Sequence, residues 1–149
     1  MAGLADSDGS FTITIRHKSR VTPNYCAFFQ IGWLATDNSI RALKIIKAKY
    51  GGAVYYPTPA EGYSGRPQMV KYFALGKALD NILRDVHGHI LLKKKQVRLC
   101  MFMRRTTKQK YGNKRPKPQN LKDFHHGLYL KMRELNSKNS GDRCKYAGN

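Results

Sequence analysis

Apolar and polar residues alternate in two early segments of the chain. Phe11, Ile13 and Ile15 are separated by threonines, and this period of two predicts a strand with one buried and one polar face. The same period predicts a second strand over residues 25–34, with Phe29 and the alternate residues after it toward the core. The two strands are therefore expected to pair as a hairpin.

Helical spacing of apolar residues follows this hairpin. A helix is predicted to begin with Asp37 or Asn38 as its cap and to end at the glycine pair 51–52, because these residue types favour the two ends of a helix. Two short strands are predicted next, over residues 53–56 and 69–75. They enclose a loop rich in Pro and Gly and form a second hairpin.

The rest of the chain is predicted to be mainly helical. Helices are predicted over residues 79–86, 91–103 and 121–135, where apolar residues recur at helical spacing. Residues 104–120 are basic and contain two prolines, which favours a loop or linker, and residues 136–149 are a polar segment expected to be mobile.

The first seven residues predict the end of a helix that leads straight into the first strand. Two acids, Asp6 and Asp8, stand at this junction and are followed by Gly9. Small residues higher in the helix would let a second helix approach closely. The alternative is that the two acids only form a turn before the strand.

The full order is α-β-β-α-β-β-α with further helices. It predicts an α+β fold in which one twisted antiparallel sheet carries helices on one face. The other face is polar, and a twisted sheet can enter the major groove of DNA. We expect a core domain over residues 1–105, continued within the same structural unit by a basic linker, a C-terminal helix and a tail over 106–149.

The net charge of the chain indicates which class of molecule it binds. Lys and Arg number 28 against 9 acids, a net charge of +19, which predicts a polyanion such as nucleic acid or an anionic membrane surface. No apolar run approaches the ~20 residues of a membrane span, so no membrane insertion is expected. The three cysteines lie far apart without zinc spacing, which favours a reducing intracellular compartment. A merely basic or ribosomal protein is the alternative.

Residues 2–9, Ala-Gly-Leu-Ala-Asp-Ser-Asp-Gly, resemble the signature of the LAGLIDADG homing endonucleases. The basic segment 92–96 and the C-terminal segment 128–136, followed by Arg143, resemble further motifs of the single-motif subgroup. The resemblance spans nearly the whole chain. It implies the LAGLIDADG fold and a site-specific double-strand DNA endonuclease that cuts a long pseudo-palindromic site as a homodimer. It also implies a Mg²⁺ cofactor, with Ca²⁺ or Mn²⁺ as substitutes, and an organellar or phage gene.

The resemblance also implies the site residues. Asp8 would be catalytic and bind metal, with the backbone carbonyl of Ser7 as a second ligand. Lys93, in a register uncertain by one within the lysine run, and Gln96 would be catalytic. One carboxylate per chain is too few for a tight Mg²⁺ site, so two copies of Asp8 are expected to meet across a dimer axis. The expected dimer interface consists of Ala2, Gly3 and Leu4.

DNA contacts are expected from the polar sheet face, the second hairpin and the tail. The predicted DNA-binding residues are Ser10, Thr12, Thr14, Arg16, Lys18, Gln30, Tyr56, Thr58, Arg66, Lys71, Lys138 and Arg143. One departure from the sequence pattern of the family favours an alternative function. This alternative is a cleavage-inactive DNA- or RNA-binding protein of the same fold, such as an intron-splicing maturase or a regulator. Ala35 stands where the family often has Gln, and Thr36 or Gln30 would have to compensate.

Overall fold

A computed structural model describes residues 1–16, 24–56, 68–108 and 118–144. The helices and strands are α1 (Ala2–Ser7), β1 (Gly9–Arg16), β2 (Asn24–Leu34), α2 (Asp37–Tyr50), β3 (Ala53–Tyr55), β4 (Met69–Ala74), α3 (Gly76–Val86), α4 (Lys94–Lys108) and α5 (Gln119–Cys144). This order confirms the predicted α-β-β-α-β-β-α arrangement with further helices. No helix in these ranges is both long and apolar enough to cross a membrane.

The strands form one four-stranded sheet in the order β1-β2-β4-β3. Strand β2 pairs antiparallel with β4, from Phe29 opposite Ala74 to Leu34 opposite Met69. Strand β3 pairs antiparallel with the other edge of β4. Alternate residues of β2 are buried, so the period-two pattern of the sequence correctly predicted which face of this strand meets the core.

The chain divides into two compact units, and the first consists of residues 1–11 and 28–93. Its core is built on the sheet, where the rings of Phe11 and Phe29 lie 4.7 Å apart. Tyr72 is fully buried and its hydroxyl donates to the carbonyl of Gly51 at 2.8 Å. Burial raises the pKa of Tyr72 to about 12, so this donor stays protonated.

The second unit consists of residues 12–27 and 94–149. Within it, His125 is 1% exposed and its Nε2 lies 2.8 Å from the Thr106 hydroxyl. The Tyr25 hydroxyl lies 2.7 Å from Nδ1 of His126. His125 thus pairs with a hydroxyl group in the packed interior of this unit, a structural role, whereas His126 is exposed where it contacts the Tyr25 hydroxyl.

Helix α2 begins one residue earlier than expected. Its cap is Thr36, in an extended conformation, whose hydroxyl accepts a hydrogen bond from the Ser39 N–H at 3.2 Å. Asp37 is already helical, so the predicted caps Asp37 and Asn38 were wrong. The predicted end is confirmed, because Gly51 follows the helix with φ +81°, a left-handed conformation that favours glycine.

Three boundaries near the C-terminus differ from the predictions. Helix α4 starts at Lys94 instead of residue 91 and runs to Lys108, into the predicted linker. Helix α5 continues to Cys144, through most of the segment predicted to be a mobile tail. Once a helix is nucleated, each added residue gains a hydrogen bond without a new nucleation cost, so polar residues extend it without an apolar stripe.

Gly9 lets α1 pass directly into β1. A Cβ at this position would lie 2.4 Å from a ring carbon of Phe29 and 2.8 Å from the carbonyl oxygen of Ala5. We expect Gly9→Ala to lower the free energy of unfolding by about 1–3 kcal/mol through overpacking. Urea denaturation measures this difference.

The matched control for this change is Gly127→Ala in α5, where no atom lies within 4 Å of the added Cβ. Since alanine is the better helix former, this variant should be unchanged or more stable by up to about 1 kcal/mol. Equal stability of the Gly9→Ala variant and the unchanged chain would contradict the tight junction.

Candidate active site at the end of the first helix

Asp8 stands at the point where α1 ends and β1 begins. Its N–H donates to the carbonyl of Leu4 at 3.0 Å, closing the last turn of the helix. Its side chain is exposed, and Oδ2 accepts a hydrogen bond from the indole Nε1 of Trp33 at 2.9 Å. The alternation along β2 predicts Trp33, two residues after Ile31, on the core side, and this pattern gives no sign of its contact with the motif carboxylate. The indole holds the carboxylate in place while leaving it open to solvent.

Lys93 lies against the motif backbone on both sides of Asp8. Its Nζ donates to the carbonyls of Ala5 at 3.1 Å, Ser7 at 3.2 Å and Gly9 at 2.6 Å. The next lysine in the run, Lys94, is exposed. Of the three adjacent lysines, the structure therefore brings Lys93 to the end of α1.

Asp6 holds the segment that carries this lysine. Its Oδ2 accepts from the N–H of Leu91 at 2.7 Å, and its Oδ1 accepts from the N–H groups of Leu92 at 3.1 Å and Lys93 at 3.0 Å. Three successive donors of the segment before α4 thus converge on one carboxylate. Asp6 therefore connects the end of α1 to a segment that is distant in the sequence.

These contacts make stability depend on the ionisation of Asp6. Burial alone would raise the pKa of Asp6, but the three N–H donors and the charge of Lys93 outweigh it and hold the pKa below its usual 3.8. The stabilisation is therefore complete above the unfolded-state pKa and is lost as the pH falls through the lower folded-state pKa.

We expect Asp6→Ala to lower the free energy of unfolding at neutral pH by about 1–2 kcal/mol, the usual cost of losing a side-chain cap. The deficit should shrink as the pH is lowered below 3.8, because the unchanged chain then loses the same contacts. Urea denaturation across the acid range measures both effects. A deficit that stays constant down to the lowest pH would show that ionised Asp6 does not hold the segment.

The remaining residues of interest are Gln96, the other predicted catalytic residue, and, separately, the residues at the end of β2. Gln96 lies in α4 and is 4% exposed, and its catalytic role stays a prediction. Ala35 is exposed just after β2, and its N–H donates to the carbonyl of Gln68 at 2.8 Å. The Thr36 hydroxyl caps α2. Gln68 was not considered at this position, although continuing the β2–β4 register beyond Leu34 would have found it.

The predicted DNA-binding residues fall into three groups. Those with described side chains are Ser10, Thr12, Thr14, Gln30, Tyr56 and Lys71. Lys18, Thr58 and Arg66 lie outside the described residues. Arg16, Lys138 and Arg143 belong to β1 and α5, without described side-chain positions. The sheet face in the first unit is also more aromatic than expected, with the rings of Phe28 and Phe73 6.1 Å apart.

The small and apolar residues of α1 differ in how deeply they are buried. Ala5 is fully buried within the first unit. Gly3 is exposed, and a Cβ on it would meet no atom within 4 Å. Ala2 and Leu4 are half-buried. The predicted interface residues therefore include an open position on the motif helix.

The oxygen atoms at the end of α1 suit a hard divalent cation. The exposed Asp8 carboxylate and the main-chain carbonyl of Ser7 are ligand types that Mg²⁺ prefers. Across residues 1–16, 24–56, 68–108 and 118–144, no group of three or more His, Cys, Asp or Glu side chains is placed to hold a metal. The neighbouring carboxylate of Asp6 accepts hydrogen bonds from the N–H groups of residues 91–93, so Asp8 is the exposed carboxylate at the end of α1.

Neither the protein-family models nor the curated proteins that were compared with the sequence match it. Solved structures do. The archaeal intron-encoded homing endonuclease I-Vdi141I, complexed with DNA, superposes with a TM-score of 0.68 at 16% identity, covering 90% of this chain and 80% of that one. I-CvuI, in complex with its target in the presence of Ca, gives 0.57 at 17% identity, covering 88% and 90%.

A further likeness is to the meganuclease I-SmaMI bound to uncleavable DNA. The TM-score is 0.64 at 16% identity, covering 86% of this chain and 42% of that one. The α+β order and the four-stranded antiparallel sheet agree with the fold of this set. The chain has the fold of the LAGLIDADG homing endonucleases.

Proposed function

We propose that this protein is a site-specific double-strand DNA endonuclease that acts as a homodimer with a divalent metal. The observation that carries the proposal is the end of α1, where an exposed Asp8 carboxylate is flanked by backbone carbonyls that bind the ammonium of Lys93. The fold neighbours complexed with DNA and the net charge of +19 support DNA as the substrate.

Asp8 and the Ser7 carbonyl are the proposed Mg²⁺ ligands of each protomer. When bound, Mg²⁺ would supply charge stabilisation for the phosphate and a nucleophilic water. The hydrogen bond from Trp33 orients the carboxylate, a function that outer-shell donors commonly serve at metal sites. Two protomers would bring two such carboxylates to one DNA site.

Lys93 is proposed to balance the negative charge of the phosphate beside Asp8. Its ammonium is held by three main-chain carbonyls at the end of α1. Asp6 fixes its backbone, so the positive charge has a defined position. A preorganised charge of this kind acts where the transition state gains negative charge.

The proposed homodimer is testable at Gly3. Because no atom lies within 4 Å of an added Cβ, Gly3→Leu is expected to fold within the protomer but to separate closely packed motif helices. Sedimentation should show a dimer for the unchanged chain and a monomer for the variant. Gly88→Leu, at a position equally open within the chain, should remain dimeric. A monomeric unchanged chain, free and on DNA, would overturn the dimer.

The function is tested in two steps with the full chain. Duplexes randomised over about 24 base pairs, roughly two helical turns, are selected for binding with Ca²⁺ present. A selected duplex is then cloned into a supercoiled plasmid and incubated with Mg²⁺ or with EDTA. The proposal expects a discrete linear product with Mg²⁺ and none with EDTA. Failure to recover any preferred sequence would overturn it in favour of a general polyanion binder.

A second candidate is a cleavage-inactive binding protein of the same fold. It is favoured by Ala35 at the end of β2, because its methyl side chain cannot form a hydrogen bond and its N–H already donates to the carbonyl of Gln68. Sequence-specific binding without any linear product in Mg²⁺ or Mn²⁺ would establish this candidate and exclude the endonuclease.

A further inference from the structure

One face of the sheet in the first unit has a defined composition. In β2 and β4 the alternate residues Phe29, Ile31, Val70, Tyr72 and Ala74 are buried. The residues between them therefore lie on the opposite face, together with Tyr55 of β3, which pairs with Lys71. We call this surface the open face; its central residues are Phe28, Gln30, Tyr55, Lys71 and Phe73.

The open face contains an aromatic cluster at its centre. The Phe73 ring lies 6.1 Å from that of Phe28 and 5.3 Å from that of Tyr55, the latter edge to face. Tyr55 is 57% exposed, and both phenylalanines are half-buried. Apolar ring surface in a fixed geometry on a solvent-facing sheet is typical of a contact surface.

A polar side chain stands directly beside this cluster. Gln30 is the register partner of Phe73 on the neighbouring strand, and side chains at such opposed positions lie about 5 Å apart at Cβ. Gln30 therefore presents an amide, with a donor and an acceptor, next to an apolar ring edge. A hydrogen-bonding amide and an apolar ring therefore lie side by side on the open face.

The positive charge of this face and of the whole chain indicates which class of partner the face binds. Lys71 is exposed, and its side chain runs over Gly32, where an added Cβ would lie 3.6 Å from Lys71 Cγ. The whole chain carries a net charge of +19. A second copy on this face would meet like charge, whereas a nucleic-acid duplex would meet opposite charge.

The major-groove edge of an A·T pair has the chemistry that matches Gln30 and Phe73. Adenine presents the N7 acceptor and the N6 donor, which an amide side chain contacts with two hydrogen bonds, and thymine presents its C5 methyl group to apolar side chains. A G·C pair has no methyl group and places its donor on cytosine. Gln30 and Phe73 together would therefore favour an A·T base pair over a G·C base pair at one position of the site.

We propose that Gln30 and Phe73 form an A·T-specific contact, in which Phe73, supported by Phe28 and Tyr55, recognises the thymine methyl group. This inference rests on the proposed function, since it assigns a base preference to the same DNA-binding sheet. It adds to the predicted hydrogen-bonding residues an apolar specificity determinant that the polar pattern of the sequence did not include.

Base analogues test the inference with the unaltered protein. In a duplex selected from the randomised pool, each thymine is replaced in turn by deoxyuridine, which lacks only the methyl group, and each adenine by 7-deazaadenine, which lacks only the N7 acceptor. We expect one position in each half of the site where either change weakens binding about five- to tenfold, within the range of a lost base contact.

Variants of the protein then show which residues contact that base pair. Phe73→Ala should bind the thymine and deoxyuridine duplexes equally, Phe73→Leu should retain part of the difference, and Gln30→Ala should no longer respond to 7-deazaadenine. Phe102→Ala, a change of a 48% exposed phenylalanine in the second unit, should behave as the unchanged chain.

The outcomes separate this inference from the proposed function. If the unchanged chain selects a sequence but tolerates deoxyuridine at every position, the methyl contact is wrong and the site-specific function stands. If Phe73→Ala remains as sensitive to deoxyuridine as the unchanged chain, the assignment to Phe73 is wrong. If no sequence is selected, the proposed function itself fails.

Discussion

Asp8→Asn is expected to lower the rate of DNA cleavage by about 10³-fold or more while leaving DNA affinity within a few-fold of the unchanged chain. A metal-binding carboxylate contributes several kcal/mol of transition-state stabilisation, and about 4 kcal/mol corresponds to 10³ in rate. Asparagine keeps an oxygen that can accept the Trp33 hydrogen bond, so the fold should persist. Single-turnover cleavage of the selected plasmid and equilibrium binding in Ca²⁺ measure the two quantities.

The matched control is Asp37→Asn, the same change at an exposed acid in the first turn of α2. It should cleave within about twofold of the unchanged chain, since an exposed helix-terminal charge contributes only some tenths of a kcal/mol. If Asp8→Asn cut as fast as this control, Asp8 would have no part in catalysis. The alternative that the two acids only form a turn would then be preferred.

Lys93→Met is expected to lower the cleavage rate by about 10²-fold, the usual cost of losing one preorganised charge or donor. It should also lower the free energy of unfolding by about 2 kcal/mol, because hydrogen bonds to a charged group contribute about 1.5–3 kcal/mol and three carbonyls accept from this ammonium. Cleavage is therefore measured well below the unfolding transition of the variant, with folding checked by circular dichroism.

Lys94→Met and Lys95→Met provide neighbouring controls of equal charge change. Both lysines are exposed in the first turn of α4, so each variant should cleave within about threefold of the unchanged chain after correction for DNA affinity. A loss of cleavage as large in Lys94→Met as in Lys93→Met would contradict the specific role of Lys93. A general effect of the basic segment would then explain both.

Local sequence patterns determined most of the secondary structure. The alternation in β2 predicted which residues are buried, and the glycine pair predicted the end of α2. Both features depend on residues close in sequence, whose side chains report the burial of a single strand or the conformation of a single turn. The boundaries of α4 and α5 were less predictable, because the start of α4 depends on a distant acid and α5 continues through polar residues.

The sequence by itself determined that Asp8 ends a short helix and begins a strand, and that the chain alternates helices and hairpins in the LAGLIDADG order. Only the tertiary structure decided which lysine of the run meets the motif, and that Asp6 holds the segment before α4. It also showed that Phe73 is opposite Gln30. These contacts join residues far apart in the chain, whereas local periodicity reports which face of a single strand or helix is buried and not which distant residue that element meets.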